Sequence, residues 1–161
     1  MTDLLAHAEG IWQSVVTDLP GFSVEVLPSI DSTNTELMRR ARTGLTEPVL
    51  LAAEDQTIGR GRMGKGWHSK PGQSLTFSLG LPLAPADWSG LSLAVGVSLA
   101  ESLHPDVRLK WPNDLWWQQR KLAGILVETA GSGEGAAAAR TVVIGVGINI
   151  CLLYTSDAAD E

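Results

Sequence analysis

Residues 141–150 carry the pattern that most constrains the fold, a run of β-branched residues interrupted by two glycines and one asparagine. Such a run predicts a strand. Other strand patterns recur along the chain, outnumber the helix patterns and are in several places joined by short turns. Together these features predict one α/β or α+β domain with a mixed, largely antiparallel sheet flanked by helices.

The other strands are predicted where short runs are apolar or alternate with polar residues. They cover residues 22–26, 49–53, 74–81 and 107–111, with Pro28 closing the first, and a hairpin of 115–117 and 122–129 that turns at 118–121. Ahead of the final strand, residues 131–139 are of low complexity, which predicts a flexible turn.

Three helices are predicted, at 3–17 from apolar residues spaced near 3.6 positions, at 33–42 from a capping box, and at 89–103 from a largely apolar segment behind a capping residue. In the second helix Thr33 and Glu36 match a capping box, and Gly44 is expected just after the last turn. In the third helix Ser89 is expected as the N-cap. Because most faces of this third helix are apolar, we expect it to pack on the sheet with little exposure.

Charge and cysteine content argue against several classes of protein. Lys and Arg number 12 against 18 Asp and Glu, a net charge of −6 that argues against broad binding of nucleic acid. The single cysteine, Cys151, excludes an internal disulfide framework and a multi-cysteine zinc site. No apolar run approaches the roughly 20 residues of a membrane span, and no secretory signal is recognisable. The default expectation is a soluble, cytoplasmic protein.

One segment departs from the acidic character of the chain. Between Asp55 and Asp87 there is no acidic residue, and the cations of its first part are Arg60, Arg62, Lys65 and Lys70. Glycines let the backbone approach an anion closely, and arginine suits phosphate or carboxylate. This loop therefore predicts a local anion site, with a solvated basic loop as the alternative.

Two nucleotide-binding motifs match this loop only superficially. Residues 59–64 fit Gly-x-Gly-x-x-Gly and residues 59–65 fit the start of a P-loop. Both motifs require a helix directly afterwards, and Gly66, Pro71 and Gly72 argue against one. Trp67 stands behind the loop, placed to stack on a flat ring such as adenine; the alternative is an indole in the core, the commoner use of tryptophan.

Five short segments then occur in a fixed order. They are Asp-Ser-Thr-Asn at 31–34, Gly-Arg-Gly-Arg-Met-Gly at 59–64, Lys-Trp-Pro-Asn-Asp at 110–114, Arg-Lys-Leu-Ala-Gly-Ile-Leu-Val-Glu at 120–128 and Val-Ile-Gly-Val-Gly-Ile-Asn at 143–149. Together they resemble the biotin protein ligases over most of the chain. The resemblance implies the catalytic domain shared by biotin and lipoate ligases and related to class II aminoacyl-tRNA synthetases.

The resemblance also implies a reaction in two steps. The carboxylate of biotin attacks the α-phosphate of ATP, which gives biotinyl-5′-AMP and pyrophosphate. A lysine of a biotin carboxyl carrier protein then takes the biotinyl group and releases AMP. ATP and Mg²⁺ are the implied co-substrate and ion, with the metal ligands left open, and no DNA or membrane partner is expected. Assembly as a homodimer stays open.

Residue roles follow from the same resemblance. The residues matching catalytic positions are Arg62, Lys121 and Asp114. Those matching biotin-binding positions are Ser32, Thr33, Asn34, Gln56, Gly59, Arg60, Gly61, Arg62, Lys121, Gly124, Leu126 and Gly145. Those matching nucleotide-binding positions are Arg60, Arg62, Trp67, Asn113 and Asn149. A side chain at Gly124 is expected to collide with bound ligand.

The chain departs from the family pattern in three ways. Met63 and Lys65 dilute the basic loop. Residues 1–150 match a catalytic domain that is incomplete at its C-terminal end, and residues 151–161 are expected to be a non-native tail. We expect neither an N-terminal winged helix nor a C-terminal SH3-like domain. Without a winged helix, we expect no binding to operator DNA. The alternatives are a lipoate or octanoate ligase of the same fold and an inactive ligand-binding fragment.

Overall fold

The computed structural model describes residues 2–131 and 139–151. Within them lie the helices α1 (Thr2–Val15), α2 (Thr33–Arg42) and α3 (Leu91–Leu103), and the strands β1 (Ser23–Ile30), β2 (Val49–Gln56), β3 (Ser74–Leu83), β4 (Arg108–Lys110), β5 (Asp114–Trp117), β6 (Arg120–Ala130) and β7 (Arg140–Asn149). The predictions for residues 132–138 and 152–161 lie outside the described residues. No helix in the described part is both long and apolar enough to cross a membrane.

The strands form one seven-stranded sheet in the order β1-β2-β3-β7-β6-β5-β4. Only β1 and β2 run parallel among the paired strands of this sheet, and all the other neighbours are antiparallel. The predicted mixed, largely antiparallel sheet is therefore confirmed. β7, the strand with the strongest sequence pattern, lies at its centre between β3 and β6.

The two faces of the sheet have different characters, because side chains alternate along each strand. On one face, Val142, Ile144, Val146 and Ile148 of β7 form a buried apolar core against which α3 packs. On the other face, Val143 packs with Leu37 and Met38 of α2. That second face is completed by Thr141, Gly145, Gly147 and Asn149, and its two glycines leave space above the strand.

A β-bulge in β6 determines the side of the sheet on which Lys121 lies. The pairing of β6 with β5 steps from Ala123 directly to Lys121, so Leu122 is an extra residue in the strand. Leu122 and Ala123 both pack in the core under α3. Since the bulge shifts the alternation by one residue, Lys121 shares the α2 face with Gly124.

Two predicted boundaries are wrong. Pro28 does not end the first strand, because β1 is an edge strand and its pairing with β2 skips Pro28. Ser89 does not cap α3: the N-cap is Gly90, with φ of 77°, and the Ser89 hydroxyl lies 2.7 Å from Asp87 Oδ2. The expected low exposure of α3 is also wrong, since Gly96 is its only buried residue.

The start of α2 differs by one residue from the predicted capping box. Ser32 is the N-cap, and its hydroxyl oxygen accepts a hydrogen bond from the Thr35 amide at 3.3 Å. Thr33 is the first helical residue, and its amide and hydroxyl both donate to Gln56 Oε1. The prediction for the other end is confirmed, because Gly44 follows the helix with a φ of +88°.

Candidate functional site

A cavity of about 280 Å³ opens on the α2 face of the sheet, between the start of α2, strands β6 and β7 and the glycine-rich loop of residues 59–67. Every residue predicted for the site lines it except Gly59. The lining residues from the prediction are Ser32, Thr33, Asn34, Gln56, Arg60, Gly61, Arg62, Trp67, Asn113, Asp114, Lys121, Gly124, Leu126, Gly145 and Asn149. Segments distant in the sequence therefore converge on one cavity.

The glycine-rich loop folds back on itself over this cavity. The Trp67 amide donates to the Gly59 carbonyl at 2.9 Å, and the Gly61 amide donates to the Lys65 carbonyl at 2.7 Å. A Cβ at Gly59 would collide with the Trp67 carbonyl oxygen. Gly59 thus closes the loop and lies outside the lining of the cavity, and its predicted contact with biotin stays a prediction.

The indole of Trp67 lies on the two glycines that face each other across β6 and β7. Gly124 pairs with Gly147 in the sheet. A Cβ at Gly124 would stand 3.2 Å from Trp67 Cζ3, and a Cβ at Gly147 would overlap the ring. The atom nearest to a Cβ at Gly124 thus belongs to Trp67, and the expected collision of a Gly124 side chain with ligand stays a prediction.

Uncharged polar side chains form one end of the cavity. The Asn34 Nδ2 group donates to the Leu126 carbonyl at 3.2 Å and to Glu128 Oε1 at 3.1 Å, and Asn34 Oδ1 accepts from the buried Ser78 hydroxyl at 2.6 Å. These partners fix the orientation of the Asn34 amide. Gly145 lets Asn34 approach, since a Cβ there would overlap Asn34 Oδ1.

An ion pair joins this polar end to the loop. Arg60 Nη2 lies 2.6 Å from Glu128 Oε1, and Arg60 Nη1 lies 3.1 Å from Oε2. Burial raises the pKa of Glu128, but hydrogen bonds from Arg60 and Asn34, with the nearby Arg60 and Arg42 charges, outweigh it and lower the pKa overall. Glu128 is therefore ionised at neutral pH.

Two cations mark the opposite end. Lys121 Nζ lies 3.2 Å from Asp114 Oδ2, and Arg62 Nη1 donates to Asn113 Oδ1 at 3.2 Å. The Asn113 backbone carbonyl accepts from the Ile125 amide at 3.0 Å. β5, β6 and the loop thus bring an ammonium and a guanidinium group to one end of the cavity.

Three residues of this arrangement were not predicted, namely Ser78, Glu128 and Gly147. Glu128 and Gly147 lie within recognised motifs, but neither was given a role. Ser78 carries no local signal. The alternation of β3 could have placed Ser78 on one face with Thr76, but not opposite Asn34. Among residues 2–131 and 139–151, no three His, Cys, Asp or Glu side chains cluster as metal ligands.

The sequence and the fold match known proteins. The model of the biotin/lipoate A/B protein ligase family matches residues 26–149. The bifunctional ligase/repressor BirA of Escherichia coli is 45% identical over 146 residues, which are 87% of this chain and 44% of that protein. The biotin–[acetyl-CoA-carboxylase] ligase of Mycobacterium tuberculosis is 37% identical over 79% of this chain and 49% of its own length.

Among solved structures, the biotin acetyl coenzyme A carboxylase synthetase of Helicobacter pylori, with bound biotinylated ATP, aligns with a TM-score of 0.66 and 28% identity. That alignment covers 83% of this chain and 64% of the Helicobacter chain. The chain spans less than half of the length of the two curated relatives named above.

Proposed function

This chain belongs to the biotin/lipoate A/B protein ligase family, and we propose that it provides the site at which a biotin protein ligase activates biotin with ATP. In this proposal the biotin carboxylate attacks the α-phosphate, and the products are biotinyl-5′-AMP and pyrophosphate. The biotinyl group then passes to the lysine amine of a biotin carboxyl carrier protein, and AMP leaves.

The observation that carries the proposal is the convergence of Arg62 and Lys121 at one end of a cavity whose other end carries neutral polar side chains beside an internally paired arginine and glutamate. A carboxylate and a triphosphate repel each other, which adds to the barrier for their reaction. Fixed cations at the point where both meet lower that barrier by electrostatic stabilisation. We assign this role to Arg62 and Lys121, with Asp114 orienting the Lys121 ammonium and the incoming lysine amine.

The uncharged end suits the ring system of biotin. Ser32, Thr33 and Asn34 provide the polar groups there, together with Gln56. A ureido group has both N–H donors and a carbonyl acceptor, so it needs neutral partners of both kinds. Gly124, Leu126 and Gly145 would form the wall along the ring and tail, with Gly61 and Arg60 contributed by the loop.

We place the nucleotide next to the loop and the cationic end. Trp67 lines the cavity beside the loop, and its indole provides a flat aromatic surface of the kind on which an adenine ring stacks. The proposed nucleotide contacts are Arg60, Arg62, Trp67, Asn113 and Asn149.

Magnesium is part of this proposal as the ion that accompanies ATP. Mg²⁺ is commonly held by substrate phosphates, water and one or two carboxylates, so the lack of a three-residue ligand cluster in the described residues is compatible with it. Asp114 is the carboxylate that lines the cavity and would hold the ion. Bound there, Mg²⁺ would neutralise phosphate charge.

The relatives named biotin–[acetyl-CoA-carboxylase] ligase favour biotin over lipoate as the substrate. A thermal melt of the chain, alone and with biotin, lipoate, or biotin plus Mg-ATP, tests this directly. A ligand at about 100 times its Kd stabilises the folded state by about 2.7 kcal/mol, which raises the midpoint by several degrees. We expect a shift with biotin, a larger shift with Mg-ATP added, and none with lipoate.

Other outcomes of the melt would decide between the alternatives. A shift with lipoate alone would favour the lipoate ligase, and the lack of a cooperative transition would identify a non-functional fragment. If biotin binds, release of pyrophosphate is measured next, and we expect Arg62→Ala to slow it about 100-fold. A wild-type rate in that variant would refute the role of Arg62, whereas binding without any pyrophosphate would indicate a non-catalytic binding fragment.

A further inference from the structure

We propose that Glu128 is a positioning residue that ties the glycine-rich loop to the sheet by binding Arg60, and that it sets the Asn34 amide at the same time. The part of this inference that concerns ligand binding rests on the proposed function. The part that concerns the loop rests on the fold alone.

The geometry around Glu128 is bidentate. Its Oε1 and Oε2 atoms accept from Arg60 Nη2 and Nη1 at 2.6 and 3.1 Å, and Arg60 Nε donates to Thr35 Oγ1 at 2.9 Å. All three guanidinium nitrogens are therefore engaged by residues outside the loop. The carboxylate side chain is 25% exposed, so water competes with this ion pair less than on an open surface.

Glu128 also accepts from Asn34 Nδ2 at 3.1 Å, through the same Oε1 atom that receives Arg60 Nη2. Both carboxylate oxygens thus act only as acceptors. A glutamine has the same shape but provides one acceptor oxygen and one donor group. Glu128→Gln must turn an N–H group toward Arg60 or Asn34, so it breaks the arrangement without a change of side-chain volume.

Other contacts also attach the loop to the sheet, and these contacts do not involve Glu128. Arg62 bonds Asn113, and Trp67 lies on Gly124 and Gly147. Arg60 precedes Arg62 and Trp67 in the sequence and lies in the first half of the loop, next to Gly61. Without Glu128, this half keeps one side-chain bond to the body of the domain, from Arg60 to Thr35. The loop should then open locally more often, while the sheet stays folded.

Limited digestion with trypsin measures this opening in the free chain, since Arg60, Arg62 and Lys65 are cleavage positions within the loop. We expect Glu128→Gln to raise the cleavage rate in the loop about tenfold. Rates are read by mass spectrometry relative to cleavage at Arg108 in β4, which contacts neither Glu25 nor Glu128, so that global unfolding is recognised as an equal increase at all positions.

The matched control is Glu25→Gln. Glu25 accepts two bonds from Arg40, at 2.8 and 2.9 Å, away from the loop. We expect its loop cleavage to remain within twofold of wild type. Equal loop cleavage in Glu128→Gln and wild type would overturn the proposal. Should Glu128→Gln fail to fold, Arg60→Lys is digested instead, because lysine keeps the charge but not the bidentate contact.

Ligand binding provides the second readout. We expect Glu128→Gln to raise the KM for biotin about tenfold while kcat changes less than threefold, because Arg60 and Asn34 hold biotin but do not react. An unchanged KM would show that Glu128 does not contribute to biotin binding. If the wild-type chain binds no biotin, the proposed function fails, whereas the digestion result still decides whether Glu128 holds the loop.

Discussion

Gly147 has no side chain, and the ring of Trp67 occupies the space above it. At this position a single methyl group decides where the indole lies. Trp67 is also one of the proposed nucleotide contacts, so a change on β7 acts on the site through the loop. The cavity is thus formed as much by missing side chains as by those that line it.

We expect Gly147→Ala to expel Trp67 from its position on the sheet. The added Cβ overlaps the ring, and overpacking of this kind costs about 1–3 kcal/mol. The variant should show a red-shifted tryptophan emission and a lower free energy of unfolding in urea. It should also lose the additional thermal shift given by Mg-ATP.

Gly10→Ala is the matched control for this substitution. No atom lies within 4 Å of a Cβ at Gly10, and the residue lies inside α1, where alanine is more favourable than glycine by about 1 kcal/mol. We expect this variant to be as stable as wild type or more so, with unchanged emission. A Gly147→Ala protein that behaves like Gly10→Ala would contradict the packing of Trp67 described here.

Sequence motifs identified the two cations of the site and their partners Asn113 and Asp114, but not the residues that hold Asn34. Arg62 and Lys121 lie in recognisable segments. Ser78 and Glu128, in contrast, meet Asn34 across 44 and 94 positions of the chain. Such contacts depend on the register between strands, which no local pattern encodes. The role of Gly147 likewise depends on where the loop brings Trp67.

Among the elements, the hairpin of β5 and β6 was predicted and its turn is tighter than expected. The strands run to Trp117 and resume at Arg120, which leaves Gln118 and Gln119 as the turn. Both residues have positive φ, 49° and 62°. Two-residue turns with this backbone normally contain Asn-Gly. The two glutamines are therefore strained, and they give no sequence signal for a two-residue turn.

The double variant Gln118→Asn with Gln119→Gly should therefore stabilise the domain. Left-handed backbone costs an ordinary residue about 1–2 kcal/mol, and Asn-Gly removes most of this cost. The measurement is the urea midpoint, which should rise. As a control, Gln13→Gly in α1 should lower the midpoint, because glycine inside a helix costs about 1 kcal/mol of stability. A double variant that is less stable than wild type would contradict the assigned turn.

Helix ends show where local patterns fail at this scale. Ser89 and Thr33 both match the preference for helix caps. The Ser89 hydroxyl lies instead within bonding distance of the Asp87 carboxylate, and Thr33 bonds Gln56 of β2, so the adjacent residues become the caps. The bulge at Leu122 also has no signal in the sequence and was not predicted, although it places Lys121 in the site.

For the whole molecule, the division of the sheet into two faces determines where chemistry is possible. The α3 face is filled by apolar side chains, whereas the α2 face carries glycines and hydroxyls above which the cavity opens. The alternation of β7 could be predicted from the sequence. Which face would remain open could not, because this depends on where the helices and the loop pack.

Acid should destabilise the molecule through carboxylates that are paired in the fold. Hydrogen bonds from Arg39 to Asp31 and from Arg40 to Glu36 lower the pKa of each carboxyl, against the opposing effect of burial. The pKa of Glu128 is also lowered. A carboxyl group whose pKa is lower in the folded than in the unfolded protein stabilises the fold when it is ionised. This contribution is fully present above about pH 4, the usual pKa of a carboxyl group, and is lost as the pH falls through the pKa of the folded state.

We therefore expect the free energy of unfolding, measured in urea, to fall steadily between about pH 5 and pH 2. Glu36→Gln removes one of these carboxylates, so the variant should be less stable than wild type at pH 7 and should lose less stability on acidification. Ser102→Ala removes an uncharged side-chain bond on α3, and its pH dependence should parallel that of wild type. If Glu36→Gln and wild type lost equal stability between pH 7 and pH 3, Glu36 would not contribute to the acid sensitivity, and its ion pairs with Arg39 and Arg40 would be energetically neutral.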